Sequence, residues 1–200
     1  DPAWADTLLL VGSDHGMETI RHIIPVEDHL VAAGHKQSRF SSDVVVAPNG
    51  SAALIYLADH AVARAGAIDQ WLQAQDWVDQ VLSGDAMAAV GPAAAHGLAM
   101  AFSFRHTGEA NAHGVAGLTD VALDADDPKQ HPGGATHGGL GHNEQRPFLF
   151  ARGMGFAAGA TIAGGASLID VAPTILAHHG LAQGGMDGRP LGAANVPESG

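Results

Sequence analysis

The chain has no cysteine, so it can build neither a disulfide framework nor a thiolate metal site, and any zinc must be held by histidine and carboxylate. Basic residues are scarce: nine Lys and Arg stand against 21 Asp and Glu, for a formal net charge of -12. The nine are scattered, leaving no basic stripe to follow a phosphate backbone, which excludes duplex nucleic acid as a partner. No apolar run reaches the roughly 18 residues of a membrane span, and no signal peptide opens the chain. Nor does the sequence begin with Met; Asp1 and an organised segment from Trp4 predict a stretch taken from within a longer reading frame. What remains is a 200-residue sequence that is 46% apolar and 15% charged, the balance of a globular domain with a sizeable core. So acidic a protein can still bind a small anion if a metal supplies local positive charge, because a bound cation dominates its own site.

Thr7 to Gly12 is an aliphatic run ending in Ser13-Asp14-His15-Gly16, the pattern of a buried parallel strand delivering polar residues to its C-terminal end, where ligand sites of open α/β sheets collect. Asp43 to Ala47 and Ala52 to Leu57 flank Pro48-Asn49-Gly50-Ser51 and predict a hairpin-like turn. From His60 to Leu82 the spacing of Ala61, Ala65, Ile68 and Leu72, extended by Val78, Val81 and Leu82, predicts helix, with Gly66 a weak point. Gly84 to Pro132 reads as an insertion or edge region with long loops and a strand at Leu98 to Phe104. Pro147 to Ala151 is a further buried-strand candidate. Ser167 opens a helix with Asp170 in its first turn, which also accommodates Pro173, and Gly180 at its end. Leu181 to Gly200 reads as a loose tail anchored at Leu191.

Asp14 and His15 at a strand end can offer one zinc an oxygen and a nitrogen, with Gly16 turning the backbone away; the plain alternative is that Asp14 caps a following helix while His15 packs. His137 lies in the glycine-dense Thr136-His137-Gly138-Gly139, where no neighbouring side chain obstructs a metal, or where the histidine is simply an exposed loop residue. His142 and Glu144 are rival ligands on composition. His178 and His179 suit the C-terminal dipole of a helix. His22, His29 and His35 read as surface residues; Glu109, His106 and His113 in the insertion either line a substrate pocket or, by default, face solvent. Ser51 reads as a turn residue, with no pattern of His or carboxylate to activate it.

The order of the elements carries more than any one of them. Ser13-Asp14-His15-Gly16-Met17 is followed by Ala135-Thr136-His137-Gly138-Gly139, then Arg146-Pro147-Phe148-Leu149-Phe150-Ala151-Arg152-Gly153, Ile169-Asp170-Val171-Ala172-Pro173-Thr174-Ile175-Leu176 and Met186-Asp187-Gly188-Arg189-Pro190-Leu191. In this order the series is similar to the C-terminal half of the alkaline phosphatase superfamily, and within it to the type I phosphodiesterase and nucleotide pyrophosphatase branch. The match covers most of residues 7 to 191, with Gly84 to Pro132 unassigned.

The resemblance implies an α/β fold, the alkaline phosphatase-like three-layer sandwich, of which residues 1–200 are a C-terminal part of a single domain. It implies two zinc ions: Asp14 and His15 would hold the one that activates a Ser or Thr nucleophile, and His137 the one that serves the leaving group and then the attacking water. Manganese takes this role in the related cofactor-independent phosphoglycerate mutases. The implied reaction is hydrolysis of a small phosphate ester, whether phosphodiester, pyrophosphate or phosphomonoester, through a covalent phospho-enzyme. The family pattern also requires an Asp, the nucleophile and an Asp-x-x-x-His pair ahead of the Ser-Asp-His-Gly element, and residues 1 to 12 do not supply them. A sulfatase or phosphonate hydrolase would share the scaffold with a different nucleophile, and a non-catalytic metal-binding remnant would keep the scaffold alone. Many relatives are exported, which makes a periplasmic or secreted location the family's expectation; the sequence carries no sign of oligomeric state.

Overall fold

The computed structural model describes residues 6–91, 95–153, 155–161 and 165–192; the expectations for Trp4 and for the end of the tail, residues 193–200, fall outside them. In chain order the strands are β1 (Leu8–Gly12), β2 (Glu18–Ile24), β3 (Val44–Asn49), β4 (Ala52–Leu57), β5 (Val78–Ser83), β6 (Leu98–Phe104), β7 (His106–Ala110), β8 (Ala116–Ala122), β9 (Ala135–Thr136) and β10 (Leu149–Gly153). The helices are α1 (Val26–Ala32), α2 (Ala65–Gln73), α3 (Gly84–Ala88) and α4 (Val171–His178). The fold is thus mixed α/β, rich in sheet with few helices, and divides into two compact units, Asp1–Asp14 with Pro147–Gly200 and His15–Arg146. No helix among the described residues is long and apolar enough to cross a membrane.

The larger unit holds two four-stranded sheets, β3-β4-β6-β5, antiparallel throughout, and β7-β8-β2-β9, in which β2 and β8 run parallel. Strict alternation builds the first: Ala53, Ile55 and Leu57 of β4 are buried while the residues between them are only half-buried, the period-2 signature of a strand with one face on the core. Phe102 and Phe104 of β6 meet edge-to-face at 4.9 Å and pack against Trp77 at 5.7 Å each. Ile68 and Leu72, one helical turn apart on α2, join this core. At its rim Asp43 is buried and bonded by Arg64 at 2.7 Å. The Ser41 hydroxyl donates to the same carboxylate, as does the Gln37 N–H at 3.3 Å.

Two sequence expectations change in this unit. The predicted helix over His60 to Leu82 ends at Gln73, after a short 3-10 helix at Asp59–Arg64, and Val78, Val81 and Leu82 belong to strand β5. The helical spacing of those three is coincidental; a turn at Asp76-Trp77 resets the chain, and β5 finds its partner in β6. The strand at Leu98 to Phe104 is where it was expected, but it lies between β4 and β5 rather than at an edge, and β8 is likewise an inner strand. The Ala, Gly and His content of this region hides strands whose burial comes from their neighbours.

In the smaller unit β1 pairs antiparallel with β10, Leu8 opposite Gly153 through Gly12 opposite Leu149. β1 is therefore not the buried parallel strand its aliphatic text predicts. Among the described residues β10 is its one strand partner, and Leu9, Val11 and Phe150 are exposed. The helix expected from Ser167 is a 3-10 turn at Leu168–Asp170 running into α4, with Pro173 in the first turn of α4 and Gly180 at φ +65° after its end. The Asp170 carboxylate accepts the backbone N–H of Arg189 and of Ser167, both at 2.8 Å, and these bonds hold it below the usual carboxylate range. The Thr174 hydroxyl donates to the Asp170 carbonyl and accepts the Leu191 N–H, so Leu191 is buried, the anchor its position predicts.

Candidate functional site

Glu18 of β2 pairs with Thr136 of β9. Because the two strands run antiparallel, the residues just before Glu18 and just after Thr136 leave the sheet at the same end. There His15 and His137 meet, their rings stacked with centroids 3.6 Å apart and planes 19° from parallel. The His15 Nδ1 lies 2.7 Å from the Gly16 carbonyl. A carbonyl only accepts, so this contact puts the ring proton on Nδ1 and the lone pair on Nε2, the tautomer of a histidine that ligates through Nε2. His137 is exposed and His15 half-buried. Asp14 is exposed at the close of the smaller unit, and His15 opens the larger one.

Glycines are what let the backbone under these rings pack so tightly. Gly50 begins the two-residue β3–β4 turn at φ +58°, and a Cβ on it would overlap the His137 carbonyl oxygen. A glycine at that first turn position is what such a hairpin prefers. Ser51 then donates its N–H to that same His137 oxygen at 3.2 Å. Gly138, at φ +120°, could not carry a Cβ either, because the Asn49 carbonyl occupies the space. A cleft of about 400 Å³ borders Gly138 and Gly139, with Leu54, Ala101 and Leu140 as apolar wall and the Asn49 and Gln145 amides at the polar end.

Beneath the loop lie two carboxylates whose burial the sequence does not predict. Glu144 is 2% exposed and accepts the Ser51 hydroxyl, the Gly139 N–H at 3.1 Å and the Gly141 N–H at 2.8 Å. It therefore faces inward and is not the rival ligand its composition suggests; His142 stays exposed. Ser51 is a turn residue, as expected, yet a carboxylate does pair with it, and complete burial removes it from the nucleophiles. Among the described residues Glu18, also 2% exposed, takes only long contacts from Asn143 at 3.4 Å, and its Oε2 finds no hydrogen-bond partner. Only the pattern Gly139-x-Gly141-x-x-Glu144 hints at this in the sequence, since a carboxylate three to five residues on can reach back to N–H groups of a glycine loop.

Burial pushes the Glu18 carboxyl up; the Asn143 N–H opposes it, and the neighbouring Glu144 adds a smaller rise that His106 counters. A carboxyl raised on folding contributes stability that is complete below its unfolded value, roughly 4.3, and lost as pH rises through the folded one. The expected result is that wild-type protein loses stability relative to Glu18→Gln as pH rises above that unfolded value. Urea midpoints across that rise check it; parallel curves would mean the carboxyl gains no proton on folding.

His22, His29, His35 and His106 each lie against a partner of their own. His22 Nδ1 sits 2.9 Å from Asp120, which also takes both ends of the Arg21 guanidinium. His29 and His35 lie against Trp77 and Trp71. Glu109 and His113 are exposed, while His106 is half-buried with Nδ1 4.0 Å from Asp79. His178 ends α4, with His179 as its cap. Among the described residues no three His, Asp or Glu side chains form a group that could hold a metal ion. No family model matches the chain, and no curated protein matches it significantly.

Proposed function

We propose that this chain is the C-terminal portion of an alkaline phosphatase-like three-layer domain of a metal-dependent hydrolase acting on small phosphate esters, with phosphodiesters preferred. The observation that carries this reading is the stacked pair His15 and His137, drawn together from positions 122 residues apart (137 − 15). Two histidines that come together at an accessible surface are the donors that suit zinc in a protein without cysteine.

The stacking supports two ions rather than one. Imidazole lone pairs lie in the ring plane, so two near-parallel rings 3.6 Å apart cannot both aim at one ion. In this reading His137 holds one ion, and His15 the other with Asp14, its neighbour in sequence. When bound, the ions supply positive charge to the entering and departing oxygens of the phosphoryl group. The chain's own residues orient these donors: Gly16 fixes the His15 tautomer through its carbonyl, and the Gly50-Ser51 turn fixes the His137 backbone. The cleft beside Gly138 offers room for an uncharged organic group of the ester. The nucleophile lies outside this chain in this reading, and the buried Ser51 does not replace it.

Zinc stoichiometry by elemental analysis after dialysis is the test. Wild-type protein is expected to retain zinc; the double variant Asp14→Ala/His15→Ala should lose one ion and His137→Ala another. Unchanged stoichiometry in both variants would remove the metal reading, and zinc binding without turnover of a bis-aryl phosphate by the full-length protein would leave a scaffold that binds metal and does not catalyse.

A further inference from the structure

We infer that Glu144 is a positioning residue that holds His15 and His137 face to face; the use made of the two rings rests on the reading above, the positioning does not. One residue bonds the backbone beside both histidines. Its carboxylate grips the loop just after His137 through the N–H groups of Gly139 and Gly141. The same carboxylate accepts the Ser51 hydroxyl, and the Ser51 N–H holds the His137 carbonyl. On the other side, the Glu144 carbonyl accepts the Gly16 N–H at 2.7 Å, directly after His15. The chain around Gly16 packs so closely that a Cβ there would overlap the Asn143 carbonyl. The two ring-bearing segments, separated in sequence, are thus tied through a single side chain and its own backbone.

Burial makes the grip firm. Glu144 is 2% exposed, so water is not at hand to replace a lost acceptor, and a buried N–H left without one is costly. Charge-assisted bonds to the carboxylate are also shorter and stronger than those of a neutral amide. Glu144→Ala therefore leaves the Gly139 and Gly141 N–H groups and the Ser51 hydroxyl without their shared partner. Glu144→Gln keeps the size and one acceptor oxygen, and should be intermediate.

The experiment reads the ring pair itself. In the metal-free protein, cross-ring nuclear Overhauser contacts between the carbon-bound protons of His15 and His137 are expected in wild type, weakened in Glu144→Gln and lost in Glu144→Ala. Zinc affinity should fall roughly 10–100-fold in Glu144→Ala, as for other residues that orient ligands. Asp43→Asn, which breaks an ion pair elsewhere in the same unit, is the control: it should lower stability and leave both readouts unchanged. Ring contacts that persist in Glu144→Ala, or that vanish equally in Asp43→Asn, overturn the inference; so does their absence from wild type. Should Glu144→Ala not fold, Glu144→Gln decides by the same contacts. A wild-type protein with the ring contacts but no zinc affinity removes the metal reading and leaves the positioning role standing.

Discussion

Gly50→Ala is expected to cost about 3 kcal/mol and to push the His137 backbone out of place. Two penalties add at this position: a side chain at φ +58° carries left-handed strain of about 1–2 kcal/mol, and the new Cβ overlaps the His137 carbonyl, an overpacking cost of about 1–3 kcal/mol. Gly34 supplies the comparison, because it has φ +76° but nothing within 4 Å of the place a methyl group would take. Gly34→Ala should therefore cost only the strain, about 1 kcal/mol. Urea denaturation of the two variants separates the terms. Equal losses would show that the turn does not press on the His137 loop. A gap of about 2 kcal/mol, accompanied by a shift of the His137 ring resonances in Gly50→Ala alone, is the expected outcome.

Asp43→Asn carries the second large effect, a loss of about 2 kcal/mol near neutral pH. Burial works against the charge of Asp43, but hydrogen bonds from the Ser41 hydroxyl, the Arg64 guanidinium and the Gln37 N–H outweigh it and hold the carboxyl well below its ordinary range. The pair is weaker than a fully buried one because the Arg64 side chain is 28% exposed and partly screened by water. For a depressed carboxyl the sign is the reverse of that at Glu18. Stability from Asp43 is present above its unfolded value, roughly 3.9, and is lost as pH falls through the lower folded value. Wild type and Asp43→Asn should then differ at pH 7 and converge in strong acid; a gap that stays constant down to pH 2 would assign the loss to packing.

What can be read from the sequence is what local chemistry decides. The β3–β4 hairpin follows from Asn49-Gly50 between apolar runs, because few residues accept a positive φ. The start of α4 follows from Ser167 and Asp170, and its end from Gly180. The pairing of His15 with His137 is legible only as order and spacing; that their rings stack depends on the β2–β9 register, which two residues of β9 do not announce. Strand β5 reads as helix because an apolar residue every three or four positions fits one, and only pairing with β6 settles the matter. Glu18 and Glu144 are hidden for a related reason. Carboxylates are expected in water, and beyond the spacing Gly139-x-Gly141-x-x-Glu144 nothing in their local sequence says that two of them end under a glycine loop.

The ribbon formed by β1 and β10 bears on how this protein behaves in a tube. Among the described residues it is a two-stranded sheet showing Leu9, Val11 and Phe150 to solvent, with Phe150 70% exposed. Open strand edges with apolar faces recruit other strands, and the force keeping molecules apart is the mutual repulsion of a formal charge of -12. Salt shortens the reach of that repulsion from about 30 Å at 0.01 M to about 3 Å at 1 M. Colloidal stability should thus depend on dilute buffer, and high salt, so often added to keep proteins dispersed, would here bring them together.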